Sequence, residues 1–222
     1  MVVSCLVTLE LTGITVSFNS APLEWWLSLP IIVIYPLLFG WVSYQTATKL
    51  AEHKRRLQVM STRDGMTGVY NRRHWETMLR NEFDNCRRHN RDATLLIIDI
   101  DHFKSINDTW GHDVGDEAIV ALTRQLQITL RGSDVIGRFG GDEFAVIMSG
   151  TPAESAITAM LRVHEGLNTL RLPNTPQVTL RISVGVAPLN PQMSHYREWL
   201  KSADLALYKA KKAGRNRTEV AA

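Results

Sequence analysis

Two stretches of this chain gather residues able to handle a metal ion and a phosphate. The first is Arg138-Phe139-Gly140-Gly141-Asp142-Glu143-Phe144, flanked by the apolar, β-prone runs Asp134-Val135-Ile136-Gly137 and Ala145-Val146-Ile147-Met148. A Gly-Gly pair between two such runs predicts a β-hairpin, because the turn needs backbone angles that glycine adopts with least strain. The bare backbone at Gly140 and Gly141 lets a phosphate-bearing ligand approach. Asp142 and Glu143 offer the hard oxygen ligands that Mg²⁺ shares with substrate phosphates. In isolation such a motif is more often a solvated acidic turn, so the remainder of the chain must decide.

The second stretch is Thr94–Ile98, a short continuous apolar run that reads as a buried strand and ends in Asp99-Ile100-Asp101. A carboxylate from each of two neighbouring strands is an arrangement used in phosphoryl transfer with two metal ions. Asp99 and Asp142 suit that arrangement. Helix capping or turn formation is the plainer reading of an Asp pair after a strand, and it suits Asp101 better than Asp99.

The elements that must position these acids follow from hydrophobic spacing. Trp75, Met78, Leu79, Phe83 and Cys86 recur at helical intervals. So do Ala118, Ile119, Leu122 and Leu126 within 115–130, and Ala156, Met160, Val163 and Leu167 within 152–170. Residues 178–186 alternate as a strand, and 199–213 close with a helix. The core order is β-α-β-β-α-β, a split βαβ unit with two central strands side by side. Sheet and helices together form a layered α+β domain, spanning residues 64–222.

With 222 residues, 45% hydrophobic and 21% charged, the chain holds one ordinary domain and something more. Charge is unevenly spread: the first 48 residues carry no Lys or Arg, and Glu10 and Glu24 are their only acids. Trp25–Tyr44 is twenty residues without a charge, about the length that crosses the ~30 Å hydrocarbon core as a helix. Trp25, Trp26, Trp41 and Tyr44 flank it as interfacial aromatics do. Lys49, Lys54, Arg55 and Arg56 follow, which places the C-terminal side in the cytoplasm. Residues 1–44 are therefore expected to be a membrane segment, with 2–18 a weaker second span carrying Glu10. The segment is either a hairpin or the tail of a longer sensor. Residues 45–63 read as a helix, with Ala47, Leu50 and Leu57 near heptad spacing; a dimerising stalk and a plain linker stay equally open. A net charge of +3 without a long basic run argues against nucleic acid. Cys5 and Cys86 give neither a disulfide framework nor metal spacing.

Four signatures, in order and properly spaced, make residues 64–217 resemble the GGDEF-domain diguanylate cyclases, a bacterial family that condenses two GTP into cyclic di-GMP. They are Asp64-Gly65-Met66-Thr67-Gly68-Val69-Tyr70-Asn71-Arg72-Arg73, then Asp99 to Asp116 (DIDHFKSINDTWGHDVGD), then Arg138 to Phe144, and finally Ala203 to Asn216 (ADLALYKAKKAGRN). Gly65-Met66 depart from the family's usual Pro-Leu, and the resemblance implies that the split βαβ sheet is a nucleotide-cyclase palm. The resemblance implies two Mg²⁺ per active site (Mn²⁺ being an alternative) held by Asp99, Asp142, Glu143 and the carbonyl of Ile100. It implies Asp142 as proton acceptor for the attacking 3′-hydroxyl with Glu143 beside it, and Lys104 against charge on the triphosphate. Asn107 and Asp116 would read guanine, which their donor and acceptor groups allow, with His112 supporting the nucleotide. Lys211 and Arg215, four apart on the last helix, would face one side and meet phosphates. Arg131 and Asp134 match the family's inhibitory Arg-x-x-Asp motif, with Arg162 a second contact for bound product. The expected partners are GTP, cyclic di-GMP, a second copy of the chain and membrane lipid, at a bacterial inner membrane. The rival readings are an inactive GGDEF receptor for GTP or cyclic di-GMP, and a different palm enzyme such as a mononucleotide cyclase.

Overall fold

The computed structural model describes residues 8–11, 14–17, 34–50, 62–173, 175 and 177–221. The chain divides into two units, Met1–Met60 and Ser61–Ala222. In the first, β1 (Thr8–Leu11) and β2 (Ile14–Ser17) pair antiparallel, with Glu10 opposite Thr15. This corrects the weaker membrane span expected over 2–18: the β-branched Thr8, Ile14, Thr15 and Val16 favour paired strands here over a helix. Residues 34–50 form α1, whose side chains are exposed along its whole length. Of the stronger expected span, residues 34–44 lie in α1, and among the described residues no helix is long and apolar enough to cross a membrane. Its apolar run ends at Tyr44, and Gln45, Thr46, Thr48 and Lys49 make the rest of α1 polar. Residues 25–33, and Leu57 of the expected stalk, lie outside the described residues.

The second unit is built on a six-stranded sheet. Its elements are β3 (Tyr70–Asn71), α2 (Arg72–His89), β4 (Ala93–Ile100), α3 (Phe103–Trp110), α4 (His112–Thr129), β5 (Val135–Gly140), β6 (Glu143–Ser149), α5 (Ala153–Thr169), β7 (Ile182–Pro188), α6 (Tyr196–Lys212) and β8 (Arg217–Val220). Strand order is β3-β5-β6-β4-β7-β8. The inner four are mutually antiparallel, and the short edges β3 and β8 run parallel to their neighbours. The β4-α-β5-β6-α5-β7 core is the split βαβ unit expected, with β4 and β6 adjacent at its centre.

Every residue of β4 is buried, as a strand covered on both faces requires. Because side chains alternate, Leu96, Ile98 and Ile100 pack against Ala118, Ile119 and Leu122 of α4 and Met160, Val163 and Leu167 of α5. Leu95 and Ile97 face Trp75, Leu79 and Phe83 of α2 and Trp199, Ala203 and Leu207 of α6. The result is a sheet between two helix pairs, with Asp99 and Asp101 emerging on the α2/α6 side. At Asn71 the carboxamide accepts the amide of His74 at 3.0 Å and caps α2. Gly137 lets α2 sit against the hairpin: a Cβ there would lie 2.5 Å from the Trp75 ring. The strand expected over 178–186 begins later, at Ile182; Val178 and Leu180 are buried in irregular chain before it.

Candidate active site

The hairpin β5–β6 turns through Gly141 and Asp142, with Gly140 and Glu143 as its last paired residues. Gly141 takes φ +49 and Gly140 φ +153, both of which a side chain would strain. Phe139 is skipped in the pairing between Arg138 and Gly140, a bulge that re-aims the strand next to the acids. Register then does the rest. Asp99 pairs directly with Glu143, and the amide of Ile100 lies 3.4 Å from the Asp142 carbonyl. The backbones of Asp99, Ile100, Asp142 and Glu143 thus lie together at one end of the sheet, where the sequence leads one to expect their oxygens.

Asp99 is 8% exposed, and Lys211 of α6 places its Nζ 2.7 Å from Asp99 Oδ2. Burial pushes the Asp99 carboxyl above the usual range; Lys211 pulls it down, and the charges of Asp142 and Glu143 push it up again. Among the described residues no three His, Cys, Asp or Glu side chains cluster tightly enough to enclose a metal ion. The donors nonetheless fit Mg²⁺ in kind. They are hard oxygens, few in number and open to solvent on the turn side, as befits an ion that completes its shell with water and substrate phosphate. Asp204 of α6, absent from the sequence expectations, belongs to the same field: shielding from water and the charge of Glu143 raise its carboxyl, while Arg72 lowers it.

Asn107 ends up in the last turn of α3, against the first turns of α4. A Cβ on Gly115 would lie 1.9 Å from Asn107 Oδ1, so glycine makes room for that carboxamide. The oxygen is buried without a hydrogen-bond partner, an acceptor awaiting a donor. His112 and Asp116 stand one helical turn apart at the start of α4, both exposed, as is Lys104 in the first turn of α3. Asp116 also rims a cavity of about 650 Å³ between α4 and the chain after α5.

The last pair departs from expectation. Lys211 and Arg215 do not share a helix face, because α6 stops at Lys212. Gly214, at φ +110, reverses the chain, and the Arg215 amide bonds back to the Ala210 carbonyl at 3.0 Å, a glycine-terminated helix end. Arg215 sits in the turn that follows, while Lys211 reaches Asp99 of β4.

Away from these groups, Arg131, Asp134 and Arg162 line one cavity of about 350 Å³ together with Thr129, Glu154 and Ser155. Asp134 Oδ2 accepts the Arg131 amide at 2.9 Å, and its Oδ1 is buried without a partner. Burial raises the Asp134 carboxyl, with the Arg131 amide and charge acting against it. None of the expected catalytic or metal residues lines this cavity.

The family model for the diguanylate cyclase GGDEF domain matches residues 61–217. The chain belongs to the GGDEF family. Diguanylate cyclase DosC of Escherichia coli K12 is 35% identical over 159 residues, which cover 71% of this chain and 34% of DosC. Cyclic di-GMP phosphodiesterase NbdA of Pseudomonas aeruginosa is 30% identical over 193 residues, 81% of this chain and 25% of NbdA. The chain thus spans about a third of DosC and a quarter of NbdA. Among solved structures, the GGDEF domain of DgcB from Caulobacter crescentus in complex with c-di-GMP superposes with a TM-score of 0.69 at 30% identity, covering 72% of this chain and 96% of that one. Diguanylate cyclase SiaD of Pseudomonas aeruginosa, in complex with its activator SiaC, gives 0.69 at 32% identity over 89% of this chain and 78% of SiaD.

Four contacts of this GGDEF domain escaped the sequence reading. Asp101 is buried and fully bonded, Ser183 beneath it is its partner, Asp204 shares the field of Glu143, and Arg138 holds the turn. Of these, Arg138 had a sequence signal in its place two residues before Gly140, and Asp101 in the Asp99-Ile100-Asp101 run.

Proposed function

We propose that this chain is a diguanylate cyclase, condensing two GTP into cyclic di-GMP and two pyrophosphates. The observation that carries the reading is the pairing of Asp99 with Glu143 beside the Gly141-Asp142 turn, with Lys211 Nζ 2.7 Å from Asp99. Asp99, Asp142, Glu143 and the Ile100 carbonyl would hold Mg²⁺ (or Mn²⁺), which supplies positive charge to the phosphates and acidifies the hydroxyl. Asp142 takes the proton of the 3′-hydroxyl as its oxygen bonds the α-phosphorus and pyrophosphate leaves. Lys104, Lys211 and Arg215 bear on the triphosphate, a task for cations in a preorganised site. Asn107 and Asp116, with His112 nearby, read guanine by hydrogen bonds. One domain carries one such site, and two phosphodiester bonds are needed, so two copies must meet face to face.

Product binding between Arg131, Asp134 and Arg162 would restrain the cyclase, and the guanidinium fork suits guanine and phosphate alike. A second reading, an inactive receptor for GTP or cyclic di-GMP, is favoured by the likeness to NbdA, a phosphodiesterase by name. Membrane attachment is proposed from sequence alone, from the uncharged Trp25–Tyr44 and the cations that follow, with the catalytic domain in the cytoplasm. Supporting it, Ile34, Leu37, Leu38 and Trp41 are each at least half exposed in α1.

The deciding experiment incubates the purified chain with GTP and Mg²⁺ and separates the products by chromatography. Cyclic di-GMP is expected, and Asp142→Asn should lower its rate on the order of a thousandfold with an unchanged circular dichroism spectrum. Binding without product would select the receptor reading.

A further inference from the structure

Asp101 is the second acid of Asp99-Ile100-Asp101, and nothing in the proposed chemistry uses it. Only 6% of it is exposed. Both carboxylate oxygens are engaged: Ser183 Oγ donates to Oδ1 at 2.6 Å and the Asn216 amide donates to Oδ2 at 2.8 Å. Its own amide bonds the Arg181 carbonyl at 2.9 Å. With both oxygens occupied by donors, it is poorly suited to ligate a metal.

What it holds is telling. Ser183, on β7, stands opposite Asp99 of β4 and Arg217 of β8, so it belongs to the strand flanking Asp99. Asn216 belongs to the turn that carries Arg215. Arg215 and Asn216 are consecutive non-glycine residues at φ +61 and +45, a conformation that persists only where surrounding contacts enforce it. The carboxylate of Asp101 enforces it from below. From the side, His164 of α5 reaches Thr218 Oγ1, two residues beyond Asn216, at 3.3 Å. Farther up, α6 sits directly on β7 at Gly185, where a Cβ would lie 2.2 Å from the Ala203 carbonyl oxygen. Helix α6 is therefore seated at its middle by Gly185 and tied at its end through Asn216.

We infer that Asp101 is a positioning residue: by clasping Ser183 and Asn216 it sets Arg215, and Lys211 four residues before it, at the height of Asp99. It acts on the triphosphate end of the nucleotide and not on the base. The inference rests on the proposed phosphate role of Lys211 and Arg215. A misplacement of about 1 Å in such groups can lower a rate by up to a hundredfold.

The test measures GTP kinetics on the full chain, with calorimetric binding of inorganic tripolyphosphate and of guanosine alongside. Asp101→Ala should raise the KM for GTP about tenfold and weaken tripolyphosphate by a similar factor, leaving guanosine affinity unchanged. Asp101→Asn keeps an acceptor for the Asn216 amide and should restore most of the loss. In a double-mutant cycle with Arg215→Ala the two losses should overlap, the double variant falling within about twofold of Arg215→Ala alone. Should Asp101→Ala not fold, Ser183→Ala removes one of the two clasps and enters the same cycle. Additive losses, or equal weakening of guanosine and tripolyphosphate, would overturn the assignment. If the parent chain binds tripolyphosphate in this Asp101-dependent way yet makes no cyclic di-GMP, the cyclase reading fails and the positioning role stands.

Discussion

Arg138 and Asp64 meet across 74 residues of sequence, Nη1 lying 3.2 Å from Oδ1. The same guanidinium gives Nε and Nη2 to the Gly141 carbonyl at 3.0 and 2.8 Å. One planar fork therefore ties the entrance of the domain to the turn that carries Asp142. Asp64 is held further by the Thr67 hydroxyl and amide, at 2.6 and 3.0 Å. Burial alone would raise its carboxyl, but these hydrogen bonds and Arg138 more than offset that, leaving it below the ordinary 3.8. The stability so contributed is present at neutral pH and is lost as pH falls below 3.8 through the lower folded value.

Arg138→Ala should therefore destabilise the domain by about 2–3 kcal/mol, since a half-buried acid and a carbonyl lose their donors. Arg138→Lys should recover less than half of this, because an ammonium cannot serve acceptors in a fixed fork. Urea unfolding of the three proteins gives the numbers. Equal stability of parent and alanine variant would show that the tie carries no energy.

Gly115→Ala tests the guanine site without touching a hydrogen-bonding group. The new methyl must displace the Asn107 carboxamide, the end of a side chain that can swing aside. We expect weaker GTP binding, about tenfold, with little loss of thermal stability. Asp116→Ala should in addition erode the preference for GTP over ATP. A Gly115→Ala protein with parental affinity would mean that guanine is read elsewhere.

Arg131→Ala and Arg162→Ala should each relieve product inhibition while initial rates without product change little. Both side chains line the 350 Å³ cavity that no catalytic residue borders. Progress curves with added cyclic di-GMP would reveal it. An unaltered plateau in both variants would detach this cavity from feedback.

His164 supplies a pH signature. Burial lowers its pKa from 6.5, against opposing effects of Asp101 and the Asn216 side chain. The folded form thus binds its proton less readily than the unfolded form, so stability falls as pH drops below about 6.5 and is unaffected above it. Replacing His164 by Gln should flatten that decline between pH 7 and 5, as read from melting temperatures. Parallel curves for the two proteins would exclude His164 as its source.

Much of this was legible in the chain. Period and apolar runs located β4, the hairpin, α2, α4, α5 and α6, because each buries a stripe or a full strand of large side chains. The acids followed, since register in a split βαβ sheet leaves Asp99 few neighbours other than the hairpin. The two-residue β3 and the polar, half-exposed β8 carry no such pattern; their place is decided by the strands they pair with. Arg215 was misassigned for a local reason, because Gly214 ends α6 where the cationic run suggests that it continues. The contacts of Asp101 lie 82 and 115 residues away in sequence, beyond anything that spacing can express.

Lys211 has one more consequence, for life without ligand. Its ammonium answers the charge of Asp99 from inside the molecule and offsets part of the repulsion from Asp142 and Glu143, so the acids at the strand ends depend less on an outside cation. Assembly of the fold is then independent of metal supply, unlike domains whose ligands repel until an ion arrives. A chelator should silence such a protein and leave its melting curve in place. On the proposed chemistry, an arriving nucleotide would offer the lysine a phosphate in place of Asp99, and the acid so released would be free to hold magnesium.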